Sequence, residues 1–139
     1  MVEITLVISR ENREITEEME DMAQKVLKEY ETDGSCTHYA PSIFDIPFIT
    51  RTIISNKTTD VIIVLGCLIE GGSDRDEVLA HQVTNSLLQL QMATGVPIAS
   101  GIIGPGVNIK QASNRIDYAK DAVEYGLALV EEQNKIIND

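Results

Sequence analysis

The chain is predicted to be an α/β protein, a flavodoxin-like three-layer sandwich. Its four-stranded parallel sheet takes the order 2-1-3-4 and is covered by helices on both faces. Three observations predict it. Residues 2–8, 60–68 and 96–103 are apolar, β-branched runs with little polar alternation, as expected of strands covered on both faces. Segments of helical periodicity separate the strand-like runs, and parallel neighbours require such crossovers. The 139 residues are 43% hydrophobic and match one domain over 1–139, a size that buries ~68–70% of its unfolded surface.

The elements follow in order. After "VEITLVI" at 2–8, residues 16–30 read as an amphipathic helix with Met19, Met22, Ala23, Val26, Leu27 and Tyr30 on one face. Thr16 is its expected N-cap, Glu17 and Glu18 complement the dipole of its first turn, and Asp33-Gly34 ends it. A second strand spans roughly 35–40 and runs into Pro41, and a helix spans about 47–56. "DVIIVLGCL" at 60–68 is the strongest strand signal, and a helix from about 74 to 93 follows it. The fourth strand, "VPIASGII" at 96–103, leaves through Gly104-Pro105-Gly106. Beyond it Ile109, Ala112, Ile116, Ala119, Val123, Leu127 and Val130 step by threes and fours. That spacing is helical, and one helix or two with a break near Tyr118 would satisfy it equally.

Composition narrows the function. The formal charge of −11 argues against nucleic acid or an anionic membrane as partner, and makes each of the eleven Lys and Arg worth locating for an anionic substrate. No run approaches the ~20 apolar residues of a membrane span, and Met1 leads into a strand rather than a signal peptide. Cys36 and Cys67 are too few for a disulfide framework and read as reduced thiols of a cytoplasmic protein. No Cys/His cluster has metal-ligand spacing, so no metal site is expected.

In doubly wound sheets ligands bind beyond the carboxyl ends of the strands, where the strand order reverses. Here that point lies between strands 1 and 3, flanked by Ser9-Arg10-Glu11-Asn12 and by Glu70-Gly71-Gly72-Ser73. The two glycines let the backbone approach a ligand, the following helix turns free N–H groups towards the same place, and Arg75 adds a planar, fixed charge. Together they suit a phosphate. The alternative is a plain helix start, capped by Ser73 or Asp74, with Arg75 paired to Asp76 or Glu77. Ser42-Ile43-Phe44-Asp45 after strand 2 offers amides to hydroxyl groups, or else forms a capping box with Phe44 in the core. Gly104-Pro105-Gly106 is a phosphate nest or a tight turn. Arg115, between Asn114 and Asp117, is by itself an ordinary surface arginine, and His38 and His81 are unremarkable.

Five segments in order, "SRENREIT", "APSIFDIP", "LGCLIEGGSDRDEVLAH", "TGVPIASGIIGPG" and "QASNRIDYAKDAVE", resemble the lumazine synthase family, especially its archaeal members, over nearly the whole chain. The resemblance implies a cofactor-free transferase of riboflavin biosynthesis, built of pentamers with active sites between neighbouring subunits. The expected reaction condenses 5-amino-6-ribitylaminouracil with 3,4-dihydroxy-2-butanone 4-phosphate. By the same resemblance Glu11 and Asn12 lie near the pyrimidine, and Ser42, Ile43 and Asp45 hold the ribityl chain. Gly66, Cys67, Leu68 and Ser100 complete the substrate pocket, while Gly72, Ser73 and a neighbouring subunit's Arg115 take the phosphate.

Two positions depart from the family pattern. Glu11 stands where an aromatic residue usually stacks on the pyrimidine, and Arg75 stands at the catalytic position of the presumed proton-transfer histidine. An arginine is no general base. His81, six helical positions on, lies ~9 Å further along and near the far side of the helix. Proximity, which supplies ~7–11 kcal/mol, would then carry a slower enzyme. The competing implications are a noncatalytic lumazine- or flavin-binding, shell-forming relative and, less in keeping with Gly72, Ser73 and Arg115, an archaeal-type riboflavin synthase.

Overall fold

The computed structural model describes residues 2–32 and 36–139. Its strands are β1 (Ile4–Ser9), β2 (Cys36–Ala40), β3 (Val61–Cys67) and β4 (Ile98–Ile103). Its helices are α1 (Arg13–Glu29), α2 (Ile46–Asn56), α3 (Arg75–Thr94), α4 (Ile109–Ser113) and α5 (Tyr118–Ile137), with one 3-10 turn at Ile43–Asp45. All strand pairs are parallel, and the order is β2-β1-β3-β4, as the sequence predicts.

The strand period of two sorts the side chains into two cores. Ile4, Leu6 and Ile8 of β1 and Val61, Ile63 and Leu65 of β3 pack against Ile15, Met19 and Leu27 of α1 and Ala119, Ala122 and Val123 of α5. On the other face Val7, Ile62, Val64 and Leu68 meet Ile46 and Ile53 of α2 and Val83 and Leu87 of α3. Each such aliphatic side chain, removed from water, contributes about 1.5–3 kcal/mol before the entropy of ordering is counted. β1 and β3 are buried along their whole length, which explains their lack of alternation.

Helix ends differ from the sequence expectation in instructive ways. Thr16 is not the N-cap. Asn12 takes that place in the left-handed region (φ 58°), and its carbonyl accepts from the amides of Ile15 (3.0 Å) and Thr16 (3.1 Å). Asparagine tolerates this backbone, so α1 begins three residues early and Thr16 is buried in its first turn. The stop at Asp33-Gly34 lies outside the described residues. Pro47 is the second residue of α2, where its missing N–H leaves no bond unmade. The last helical stretch is two helices, separated at residues 114–117. Phe44 is not a core residue but 70% exposed, because Ile43 and Ile46 fill the core beside it.

α5 presses closely on the sheet. A Cβ at Gly101 of β4 would stand 2.9 Å from Leu65 Cδ2 and 3.0 Å from the Tyr118 carbonyl oxygen, whereas one at Gly71 would meet nothing within 4 Å. Overpacking of this kind costs about 1–3 kcal/mol. Gly101→Ala should therefore lower the unfolding free energy in urea by that amount, and Gly71→Ala should leave it within about 0.5 kcal/mol.

Candidate active site

The crevice lies where the crossovers of β1 and β3 diverge, and short bonds join its walls. The amide of Arg10 donates to the Ala40 carbonyl at 2.8 Å, tying the ends of β1 and β2 together. The side chain of Asn12 donates to the Cys67 carbonyl at 2.8 Å, tying the β1 loop to the end of β3. Asn12 is thus fixed at the reversal point by its own left-handed backbone and by this bond.

The β2 loop reaches the same place. Ser42 donates to Asp45 twice, from its amide at 3.1 Å and from its hydroxyl at 2.9 Å, so the capping-box reading holds for the segment. The loop approaches β3 because residue 66 is glycine: a Cβ there would collide with Ile43 Cδ1. Leu68 is fully buried in the α2–α3 core, and Cys67 in the α1–α5 core. Only their backbone therefore faces the crevice. Burial, with the charges of Glu14 and Glu11 added, pushes the Cys67 thiol up to about 11, which makes it a poor nucleophile.

Arg75 pairs with neither Asp76 nor Glu77. Its guanidinium reaches across to Glu11 Oε2 at 3.6 Å. Glu11 Oε1 meanwhile accepts from the Ile43 amide at 3.2 Å, and the Glu11 amide donates to Ser9 Oγ at 3.1 Å. Glu11 therefore joins the β1, β2 and β3 loops. Residues far apart in the chain carry no sequence signal of such a bond, and none marked this one.

The phosphate candidates Gly72 and Ser73 line a cleft of about 510 Å³ with Gly71, Pro105 and Gly106 and with four acids, Glu70, Asp74, Asp76 and Glu77. The Gly104 loop belongs to the cleft because Asp76 holds it: buried at the start of α3, its carboxylate accepts from the Gly106 amide at 3.0 Å. Asp76 escaped sequence reasoning because, among Asp74 and Glu77, it looks like one more solvated acid of a first helical turn. Gly104 (φ +99°) must be glycine, since a Cβ there would strike the Leu68 carbonyl oxygen. Two residues stand apart from the others. Ser100 is exposed in the body of β4, beside Thr84 and Leu88 of α3. Arg115 is half-buried in the α4–α5 connector and does not line its own chain's cleft. His81 is exposed and pairs with Glu77 at 3.9 Å, while His38 faces Cys36 at 3.3 Å.

Among the described residues no group of three or more His, Cys, Asp and Glu side chains is placed to hold a metal ion, and no helix is long and apolar enough to cross a membrane. The crevice instead combines closely approaching glycine backbone at the start of α3 with the Glu11–Arg75 pair.

Comparison with known proteins agrees with this arrangement. The family model described as 6,7-dimethyl-8-ribityllumazine synthase matches residues 1–135. The chain is 35% identical to the 6,7-dimethyl-8-ribityllumazine synthase of Methanococcus maripaludis, over 98% of this chain and 99% of that one. It is 38% identical to that of Pyrobaculum arsenaticum, over 93% and 87%, and 32% identical to that of Methanoculleus marisnigri, over 94% and 96%. With its glycine-lined cleft at the α3 start and its loops gathered at the strand-order reversal, the chain belongs to the 6,7-dimethyl-8-ribityllumazine synthase family.

Proposed function

We propose that this chain condenses 5-amino-6-ribitylaminouracil with 3,4-dihydroxy-2-butanone 4-phosphate to 6,7-dimethyl-8-ribityllumazine, without metal or organic cofactor. The observation that carries this reading is the convergence of two different recognition chemistries on one crevice. Amides and hydroxyls of the β2 loop suit a polyol, and the glycine-lined start of α3 suits a phosphate. In this reading Asn12 borders the pyrimidine, Ser42, Ile43 and Asp45 hold the ribityl chain, and the backbone of Gly66, Cys67 and Leu68 forms the floor. Gly72 and Ser73 donate to the phosphate. Holding both reactants in register supplies ~7–11 kcal/mol of the barrier.

The site is completed by a neighbouring subunit, whose Arg115 is the phosphate's counter-charge. Support comes from surfaces that a lone chain leaves open. α3 buries only Asp76, Val83 and Leu87 of its twenty residues, and Phe48 and Met92 are 69% and 82% exposed. Apolar surface of this kind marks association sites. We take the assembly to be a pentamer or a multiple of it, and its setting to be the cytoplasm, on the two free thiols.

Purified protein given both substrates should form the lumazine, followed by its absorbance and fluorescence. Lumazine binding without turnover would instead mark a noncatalytic relative. Light scattering at micromolar concentration should give a mass corresponding to a multiple of five chains, and a monomer or dimer would make a shared site untenable. Arg115→Ala should raise the KM for the butanone phosphate roughly 10–100-fold, the equivalent of a lost charge-assisted hydrogen bond of about 1.5–3 kcal/mol. The KM for the pyrimidine should stay nearly constant, and equal rises in both would remove Arg115 from the phosphate.

A further inference from the structure

We infer that Glu11 is the catalytic proton carrier of this site, held in place by Arg75. The inference rests on the functional reading above and assigns the one role that reading leaves open. Forming a carbon–nitrogen bond between an amine and a ketone requires protons to leave nitrogen and arrive on oxygen. Arginine does not exchange a proton under these conditions, so Arg75 cannot serve.

Among the described residues, Glu70, Asp74 and Glu77 line the cleft at the start of α3 rather than the β1 loop at the strand-order reversal, and the groups nearer that loop are engaged or turned away. Asp45 is closed on Ser42. Asp76 is buried against the Gly106 amide. The Cys67 thiol lies in the core, and His81 is on the exposed side of α3 with Glu77. Glu11 differs in three respects. It stands at the strand-order reversal, its side chain is 26% exposed, and both of its carboxylate contacts are long: 3.2 Å to the Ile43 amide and 3.6 Å to Arg75. Charge-assisted bonds are ordinarily ~2.7–2.9 Å, so neither oxygen is saturated. The contacts orient the carboxylate without using up its capacity to accept.

The chemistry then balances. The lone pair of the pyrimidine's primary amine forms the bond to the ketone carbon, and the carbonyl π pair moves to oxygen. Glu11 takes one proton from the nitrogen and returns it to that oxygen, giving the carbinolamine. It relays the second nitrogen proton to the hydroxyl in the same way, water leaves, and the imine forms. Both amine protons end on the departing water, and Glu11 returns to its starting state. A ribityl hydroxyl taking the Ile43 amide frees Glu11 Oε1 for this work as the substrate binds. Arg75 keeps Oε2 aimed at the crevice and holds a positive charge beside the carboxylate.

The test compares turnover and substrate affinity in E11Q and E11D, with far-UV circular dichroism and assembly mass confirming the fold. E11Q keeps an acceptor for the Ile43 amide but loses the exchangeable proton. Its kcat should fall about 10²–10⁴-fold, the usual worth of general acid–base catalysis, while the KM for the pyrimidine changes less than about threefold. E11D keeps the carboxylate and should turn over at least tenfold faster than E11Q. Turnover of E11Q within threefold of the wild type, or equal losses in E11Q and E11D, would overturn the role of Glu11 while leaving the enzyme reading intact. No product from the wild type itself would overturn both.

Discussion

Everything in this molecule hangs on the parallel pairing of β1 with β3. Two strands buried on both faces must sit at the centre of the sheet, and a parallel sheet of two central strands sends its crossovers in opposite directions. The opening left between them is where the β1, β2 and β3 loops come together. The hydrogen bonds that cross it, from Asn12 to Cys67 and from Arg10 to Ala40, are short because strand register has already set the loop ends side by side. Gly66 and Gly104 follow from the same constraint, since each marks a place where backbone and neighbour come too close for a side chain.

The proposed reaction gives an acidic chain a phosphate to hold, which requires positive potential to be concentrated locally. The net charge of −11 would repel an anion from most of the surface. Under the proposed function the remedy lies in direction rather than number: the dipole at the start of α3, Arg75 beside it, and the Arg115 of a neighbouring subunit. Glu11 is the electrostatic complement of this arrangement. Its carboxylate pairs with Arg75 at 3.6 Å, tying the β1 loop to the start of α3. Asp76 performs the comparable structural task for the Gly104 loop, where burial makes an unsatisfied amide or carboxylate costly.

The surface completes this picture. α3 sits on the sheet by a narrow apolar seam, leaving Val78, Leu88 and Met92 exposed, while Phe44 projects from the β2 loop and Phe48 from α2. Exposed apolar surface of this extent, beside the cleft at the start of α3, is what the proposed assembly would cover.

Much of this was legible in the sequence. The strands could be read because burial on both faces suppresses alternation, and their order followed from crossover rules. The crevice loops could be read because glycine, proline and an acid-flanked arginine have few uses other than turns, helix starts and charge. What the sequence could not supply was pairing between distant segments. It suggested Asp76 or Glu77 as the partner of Arg75, since helical neighbours are the nearest candidates along the chain, whereas the fold supplied Glu11 from another loop. It placed the start of α1 at Thr16, since a left-handed Asn12 has no periodic signature. It left Asp76 among the solvated acids, since burial is a property of the packed molecule. Local backbone preference and hydrophobic period are written into neighbouring residues and determined the elements and their order. The contacts that give Glu11, Arg75 and Asp76 their environments exist only once the sheet has brought the loop ends together, so tertiary structure alone decided them.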